Sequence, residues 1–236
     1  GGHIDVNYTL IPQHLKRRVA VTARHCAEVA MESNVTITFD ETPQFIRESG
    51  VTKNVILTEP SFSGKAYYID KYNYFLDGDF AVVILDSPVS EQIVPLPAQL
   101  PNIGQASSVF KQRVTMTGYG VIVWGNSHSV GLDEAADTGH GVLIGDRAKM
   151  TITMPVLSYT NINLMTQMNY ALGQDTSCNG DSGSGEVIEV DLASNTPSIL
   201  LAVTSSSDLN CRAMQNNSRI DRKSFYDLLS NTLQKY

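Results

Sequence analysis

Cys178-Asn179-Gly180-Asp181-Ser182-Gly183-Ser184-Gly185 sets three glycines around one serine, with an acid just before it. Such a run makes poor helix and poor strand. It suits a tight loop whose backbone amides converge in front of a side-chain hydroxyl. Acyl transfer needs that geometry: a nucleophile, and N–H donors aimed at the oxyanion that forms when it attacks a carbonyl. Taken alone, the run reads better as a surface turn with a disulfide at one end. The surrounding chain decides between the two.

Two other stretches carry chemical potential. Val19-Ala20-Val21-Thr22-Ala23-Arg24-His25-Cys26 is an apolar strand ending in a histidine and a cysteine. A lone histidine at a strand end is most often structural, but His3, His14, His128 and His140 have no comparable setting. In Leu76-Asp77-Gly78-Asp79-Phe80-Ala81-Val82-Val83-Ile84-Leu85 an acid stands at the head of a continuous apolar run. A carboxylate buried there needs hydrogen-bond donors. Asp79 abuts the run and is the candidate; Asp77 reads as a turn acid facing water.

The 236 residues suffice for one large domain or two small barrels sharing an interface. Hydrophobic residues at 42% and charged ones at 17% exclude a disordered chain. A net charge of −7 speaks against nucleic acid or an anionic membrane as partner. No apolar run approaches a membrane span and no secretory signal opens the chain, so it reads as a mature or trimmed soluble protein. Three cysteines is an odd number, leaving at least one thiol without a partner in this sequence. Asn7-Tyr8-Thr9, Asn34-Val35-Thr36 and Asn216-Asn217-Ser218 are glycosylation sequons.

Short β-branched and aromatic runs between Gly, Pro, Asn and Asp turns predict an all-β barrel or sandwich. The expected strands are Arg18–Thr22, Val35–Phe39, Val55–Thr58, Phe80–Leu85, Val114–Gly118, Lys149–Pro155, Glu186–Val190 and Ile199–Thr204. Asp86–Gly104, with Pro88, Pro95, Pro97 and Pro101, predicts an extended crossing segment. It divides the chain into residues 1–104 and 105–236. Phe225, Leu228, Leu229 and Leu233 fall on one helical face, with Ser224 and Asp227 able to cap its start, which predicts a C-terminal α-helix over about 222–235.

With His25, Asp79 and Ser182 in that order, the sequence resembles the chymotrypsin/trypsin family of serine proteases. Val21-Thr22-Ala23-Arg24-His25-Cys26 is similar to the family's Val-Thr-Ala-Ala-His-Cys, and Asp79-Phe80-Ala81-Val82-Val83-Ile84-Leu85 to its Asp-Ile-Ala-Leu-Leu-Lys-Leu. The serine run is similar to its Cys-Gln-Gly-Asp-Ser-Gly-Gly-Pro. Weaker likenesses are Met116-Thr117-Gly118-Tyr119-Gly120, Leu201-Ala202-Val203-Thr204-Ser205 and the C-terminal helix. The resemblance implies two six-stranded Greek-key β-barrels, with His25 and Asp79 from the first half and Ser182 from the second. It implies a serine endopeptidase acting through an acyl-enzyme on Ser182, with His25 as proton carrier and Asp79 orienting it. By the same resemblance the N–H groups of Gly180 and Ser182 would form the oxyanion hole. The resemblance further implies that Ser205 donates to the triad aspartate and that Cys178 pairs with Cys211, a bridge worth roughly 3–4 kcal/mol that would imply an oxidising, secreted setting. No cofactor or metal is implied. The expected partners are a protein or peptide substrate and a protease inhibitor.

The departures matter too. Arg24 replaces a small residue, Ser184-Gly185 replaces Gly-Pro, and Ser206 stands where the family has tryptophan. Thr176, six residues before Ser182, falls at the base of the specificity pocket and cannot pair with Lys or Arg. Ser177, Thr204, Ser205, Ser206 and Ser207 would line the pocket, with Ser218 a poorly aligned addition. An uncharged, hydroxyl-lined, narrowed pocket suits small or polar side chains. The alternative function is a silent or zymogen-like member acting as a binding module. In zymogen-derived members a new N-terminal ammonium pairs with the acid before the nucleophile, here Asp181. No Ile-Val-Gly-Gly segment is present, so the expectation is a longer precursor with a cysteine for Cys26, and an Asp181 that turns to other donors, leaving the oxyanion loop loose and activity low.

Overall fold

The apolar run after Asp79 becomes β7 (Ala81–Leu85), every residue of which is buried. Its two faces go different ways, as strand geometry requires. Val82 and Ile84 enter one hydrophobic cluster; Ala81, Val83 and Leu85 enter another with Ala20, Ala27 and Ala66. The computed structural model describes residues 3–4, 10–29, 34–41, 43–48, 51–57, 60–70, 78–120, 123–124, 142–143, 149–167, 177–178, 180–188, 196–208, 211 and 213–236. Asp77, Thr176 and the expected strand ends Thr58, Glu189 and Val190 lie outside them.

β7 is central to a five-stranded antiparallel sheet. Its order is β1 (His3–Ile4), β2 (Val19–Thr22), β7, β6 (Ser61–Tyr67), β3 (Asn34–Thr38). A separate hairpin joins β4 (Gln44–Glu48) to β5 (Val51–Ile56), and β9 (Val123–Trp124) pairs with β10 (Val142–Leu143). The other body is a closed six-stranded barrel. Around it run β11 (Met150–Tyr159), β12 (Asn163–Gln167), β15 (Met214–Arg219), β14 (Ile199–Ser207), β13 (Gly185–Ile188) and β8 (Arg113–Gly118). The mostly-β fold with one closed barrel is the expected chymotrypsin-like class. Among the described residues the first half forms a sheet and a hairpin, since β4 and β5 pair only with each other.

Three expectations need adjustment. The histidine strand stops at Thr22, and His25 and Cys26 stand in a short helix, α1 (Arg24–Val29). The C-terminal helix, α2 (Lys223–Leu233), begins without a side-chain cap, and Asp227 pairs with Lys223 at 2.7 Å instead of capping with Ser224. Strands β1, β4, β6, β9, β10, β12 and β15 were not among those expected; of these, Asn163–Gln167 and Met214–Arg219 lack apolar alternation. Residues 86–104 hold no regular strand or helix; Gln99 makes a single bridge to Ile199 at the barrel edge.

Sheet and barrel share one core. Val19, Val21, Phe80 and Ile84 from the first meet Leu200, Val203 and Ile220 from the second, and Phe225 and Leu229 of α2 close the cluster. Phe225 sits edge-to-face on Phe80 with ring centroids 5.4 Å apart. Polar links reinforce the junction: the Tyr119 hydroxyl donates to the Asp40 carbonyl at 2.6 Å, and Lys149 pairs with Glu41. Because Phe225 is fully buried, Phe225→Ala leaves a cavity and is expected to lower stability by about 3–5 kcal/mol. Urea unfolding measures this; a loss below ~1 kcal/mol would remove α2 from the core.

Candidate active site

Asp79 heads the strand that the core holds most firmly, and it is itself buried. Its Oδ1 accepts the backbone N–H of His25 at 2.9 Å, so the carboxylate satisfies a donor in the first turn of α1. Oδ2 lies 2.5 Å from His25 Nδ1 and accepts the Ser205 hydroxyl at 2.8 Å. The Asp79 N–H donates to Ser218 Oγ at 2.7 Å. Ser218 therefore sits beneath Asp79, not in a pocket wall. Burial alone would raise the Asp79 carboxyl, but the His25 and Ser205 donors outweigh it and hold it below the ordinary value. Bonding to Asp79, then to Cys26, drives the half-exposed His25 imidazole up to about 10, against desolvation.

Ser205 reaches Asp79 because β14 carries an extra residue there. Thr204 opposes Asn217 and Ser206 opposes Asn216, leaving Ser205 in a bulge that re-aims its side chain. Arg24 brings no loose charge: it is buried, pairs with Glu28 at 2.5 Å and stacks over Tyr68. Cys26 is a free thiol among the described residues.

The Ser182 loop is fastened on every side. Cys178 and Cys211 are disulfide-bonded, as the resemblance implies. Gly183 donates to the Thr204 carbonyl and Thr204 to the Ser184 carbonyl, each at 2.8 Å, tying both flanks of Ser182's turn to β14. Gly180 adopts φ 97°, left-handed backbone that its missing Cβ permits. Asp181 is buried and accepts the N–H groups of Gly120 at 2.7 Å and Cys178 at 2.9 Å. A side chain at Gly118 or Gly120 would fall on that carboxylate, so the Gly118-Tyr119-Gly120 turn is glycine-bound by close approach. Ser182 itself is half-buried at the apex.

Of the expected pocket residues, Ser177, Thr204 and Ser205 are buried, while Ser206 and Ser207 are half-buried. Two residues escaped the sequence reading. Gln215 and Glu186 are completely buried and lie among them. Gln215 Nε2 donates to Glu186 Oε1 and to Thr204 Oγ1, each at 2.8 Å, and its Oε1 accepts the Ser177 hydroxyl. Thr204 also donates to Glu186 at 3.1 Å. The available signal was the alternation of Gln215, Asn217 and Arg219 along β15, a polar face at strand period that turns inward.

Burial pushes the Glu186 carboxyl up to about 8, only partly offset by Thr204 and Gln215, with Asp181 adding to the rise. Below pH 4.5, its ordinary value, folded and unfolded chains both hold the proton. As pH rises toward 8 the unfolded chain ionises first, so stability falls across that window. Glu186→Gln is expected to remove this fall: its stability relative to wild type should be higher at pH 8 than at pH 5 in urea unfolding. An unchanged difference would mean that Glu186 ionises normally in the fold.

No curated protein matches the chain. Residues 15–221 match the family model described as Trypsin, a span that contains His25, Asp79, Ser182, the disulfide and the whole barrel. The chain belongs to the trypsin family.

Proposed function

We propose that this chain is a serine endopeptidase whose two halves, residues 1–104 and 105–236, supply His25 with Asp79 and Ser182 respectively. The carrying observation is the buried Asp79 carboxylate, bonded at once to the His25 ring, the His25 backbone and Ser205. That arrangement does what such a reaction needs of an orienting acid: it fixes the imidazole tautomer, leaving Nε2 to take the Ser182 proton, and offsets the charge that follows. Ser182 Oγ attacks the scissile carbonyl, and the N–H groups of Gly180 and Ser182 receive the oxyanion. Asp181, fixed on Gly120 and Cys178, holds the loop that presents them.

Thr176 at the pocket base offers no charge to a Lys or Arg substrate side chain, which would lose its water without gaining a carboxylate. The substrate class is therefore protein or peptide not preferentially cleaved after Lys or Arg. The disulfide favours a secreted setting, where protease inhibitors are natural partners.

Labelling with a fluorophosphonate probe tests the reading, with Ser182 expected as the modified residue. Ser182→Ala should lose labelling and reduce peptide hydrolysis on the order of 10⁴-fold or more while keeping its unfolding transition. A wild-type chain that stays unlabelled would instead be a binding module of the same fold. The raised His25 pKa has its own signature. The ring must release its proton before accepting one from Ser182, so kcat/KM should rise with pH along a limb whose midpoint exceeds the ordinary 6.5. A midpoint at or below 6.5 in the pH profile would show that Asp79 does not hold the imidazolium in the free enzyme.

A further inference from the structure

We propose that Gln215 is the floor of the pocket that receives the substrate residue before the scissile bond, that Glu186 holds its carboxamide there, and that cleavage consequently follows small uncharged residues. This rests on the peptidase reading of Ser182.

The placement comes from three independent connections. Ser177 precedes the nucleophile by five positions, on the loop that the Cys178–Cys211 disulfide pins, and its hydroxyl donates to Gln215 Oε1. Strand β14 leads from Ser205, bonded to Asp79, to Ser207, and Ser207 lies opposite Gln215 in the ladder. Thr204, beside Ser205, accepts from Gln215 Nε2. Gln215 thus bridges the nucleophile loop and the β14 wall. Its burial is complete, while Ser206 and Ser207 on the approach remain half-buried.

A side chain entering past Ser207 meets a carboxamide that is already spoken for. Its N–H groups face Glu186, Thr204 and Asn217, and its oxygen faces Ser177. A large guest would have to displace Gln215 and strand several buried polar groups without partners, which is costly. A small one needs no displacement. Among the described residues Glu186 is the acid bonded to this floor, and its Oε1 is already taken by Gln215 and Thr204. Gln215 covers it, and burial pushes its carboxyl up to about 8. Glu186 is a positioning residue here: one of its oxygens takes Gln215 and Thr204, and Oε2 has no partner among the described residues.

The test uses the full chain and N-acylated tetrapeptide anilides differing only in the last residue: Ala, Ser, Leu, Phe, Lys and Glu. Wild type should favour Ala and Ser over Phe, Lys and Glu by at least tenfold in kcat/KM. Gln215→Gly should raise the Phe-to-Ala ratio at least tenfold, through KM for Phe more than kcat. Glu186→Gln should keep the wild-type profile, and Glu186→Leu, which cannot accept from Gln215, should loosen it. If Gln215→Gly shows no cooperative unfolding transition, Gln215→Ala is read by the same ratio. A wild-type preference for Phe, Lys or Glu, or an unchanged ratio in a folded Gln215 variant, overturns the assignment. Fluorophosphonate labelling separates the two levels. Labelled enzyme with an unaltered profile defeats only the pocket, whereas unlabelled wild type defeats the peptidase reading and this inference with it.

Discussion

A carboxylate taken out of water is tolerated only when donors surround it, and Asp79 sets that condition for the whole molecule. Its donors are the His25 ring, the His25 backbone and Ser205, while its own N–H is taken up by Ser218. These groups belong to α1, β14 and β15, elements from both halves of the chain. The apolar core brings the two bodies together without direction. The Asp79 bonds supply the direction, because each has a length and an angle to satisfy. Folding correctly and aligning the histidine with its acid are thus one event.

The barrel interior follows the same logic with neutral groups. Glu186, Gln215, Thr204, Asn217 and Thr166 form a chain of hydrogen bonds where a purely apolar filling would be the simpler choice. Lower down, Arg219 pairs with Asp221, whose other oxygen also accepts the Ala106 N–H, closing the turn that leads into the barrel. Networks of this kind hold one arrangement, since a shift breaks several buried hydrogen bonds at once. They give the nucleophile loop a rigid bed, with Asp181 performing the equivalent task on its far side.

The parts legible in the sequence were those governed by local rules. A glycine-flanked serine, a histidine after an apolar strand and an acid before one each announce themselves within a few residues, and the apolar period of α2 does likewise. What escaped depends on partners far along the chain. The polar period of Gln215, Asn217 and Arg219 gives no sign of an inward face until Thr166, Thr204 and Glu186 are present to satisfy it. Glu186 looks like an ordinary surface acid at the head of a strand, since the burial that alters it comes from the closed barrel. The bulge at Ser205 is also invisible, because an extra residue shows only against its opposite strand. Thr176 remains a reading from position alone.

The packing of α2 has a temporal consequence. Ribosomal synthesis proceeds from the N-terminus, so Phe80 and its neighbours in β2 and β7 exist long before Phe225 and Leu229 are made. During that interval the face of Phe80, one residue from Asp79, has no helix to cover it. Ser205 and Ser218, which complete the shell around Asp79, also come late. A half-made chain therefore lacks an assembled site, whatever segments it has already folded. On the peptidase reading proposed above, this order of construction keeps the site unassembled until β14, β15 and α2 have been made.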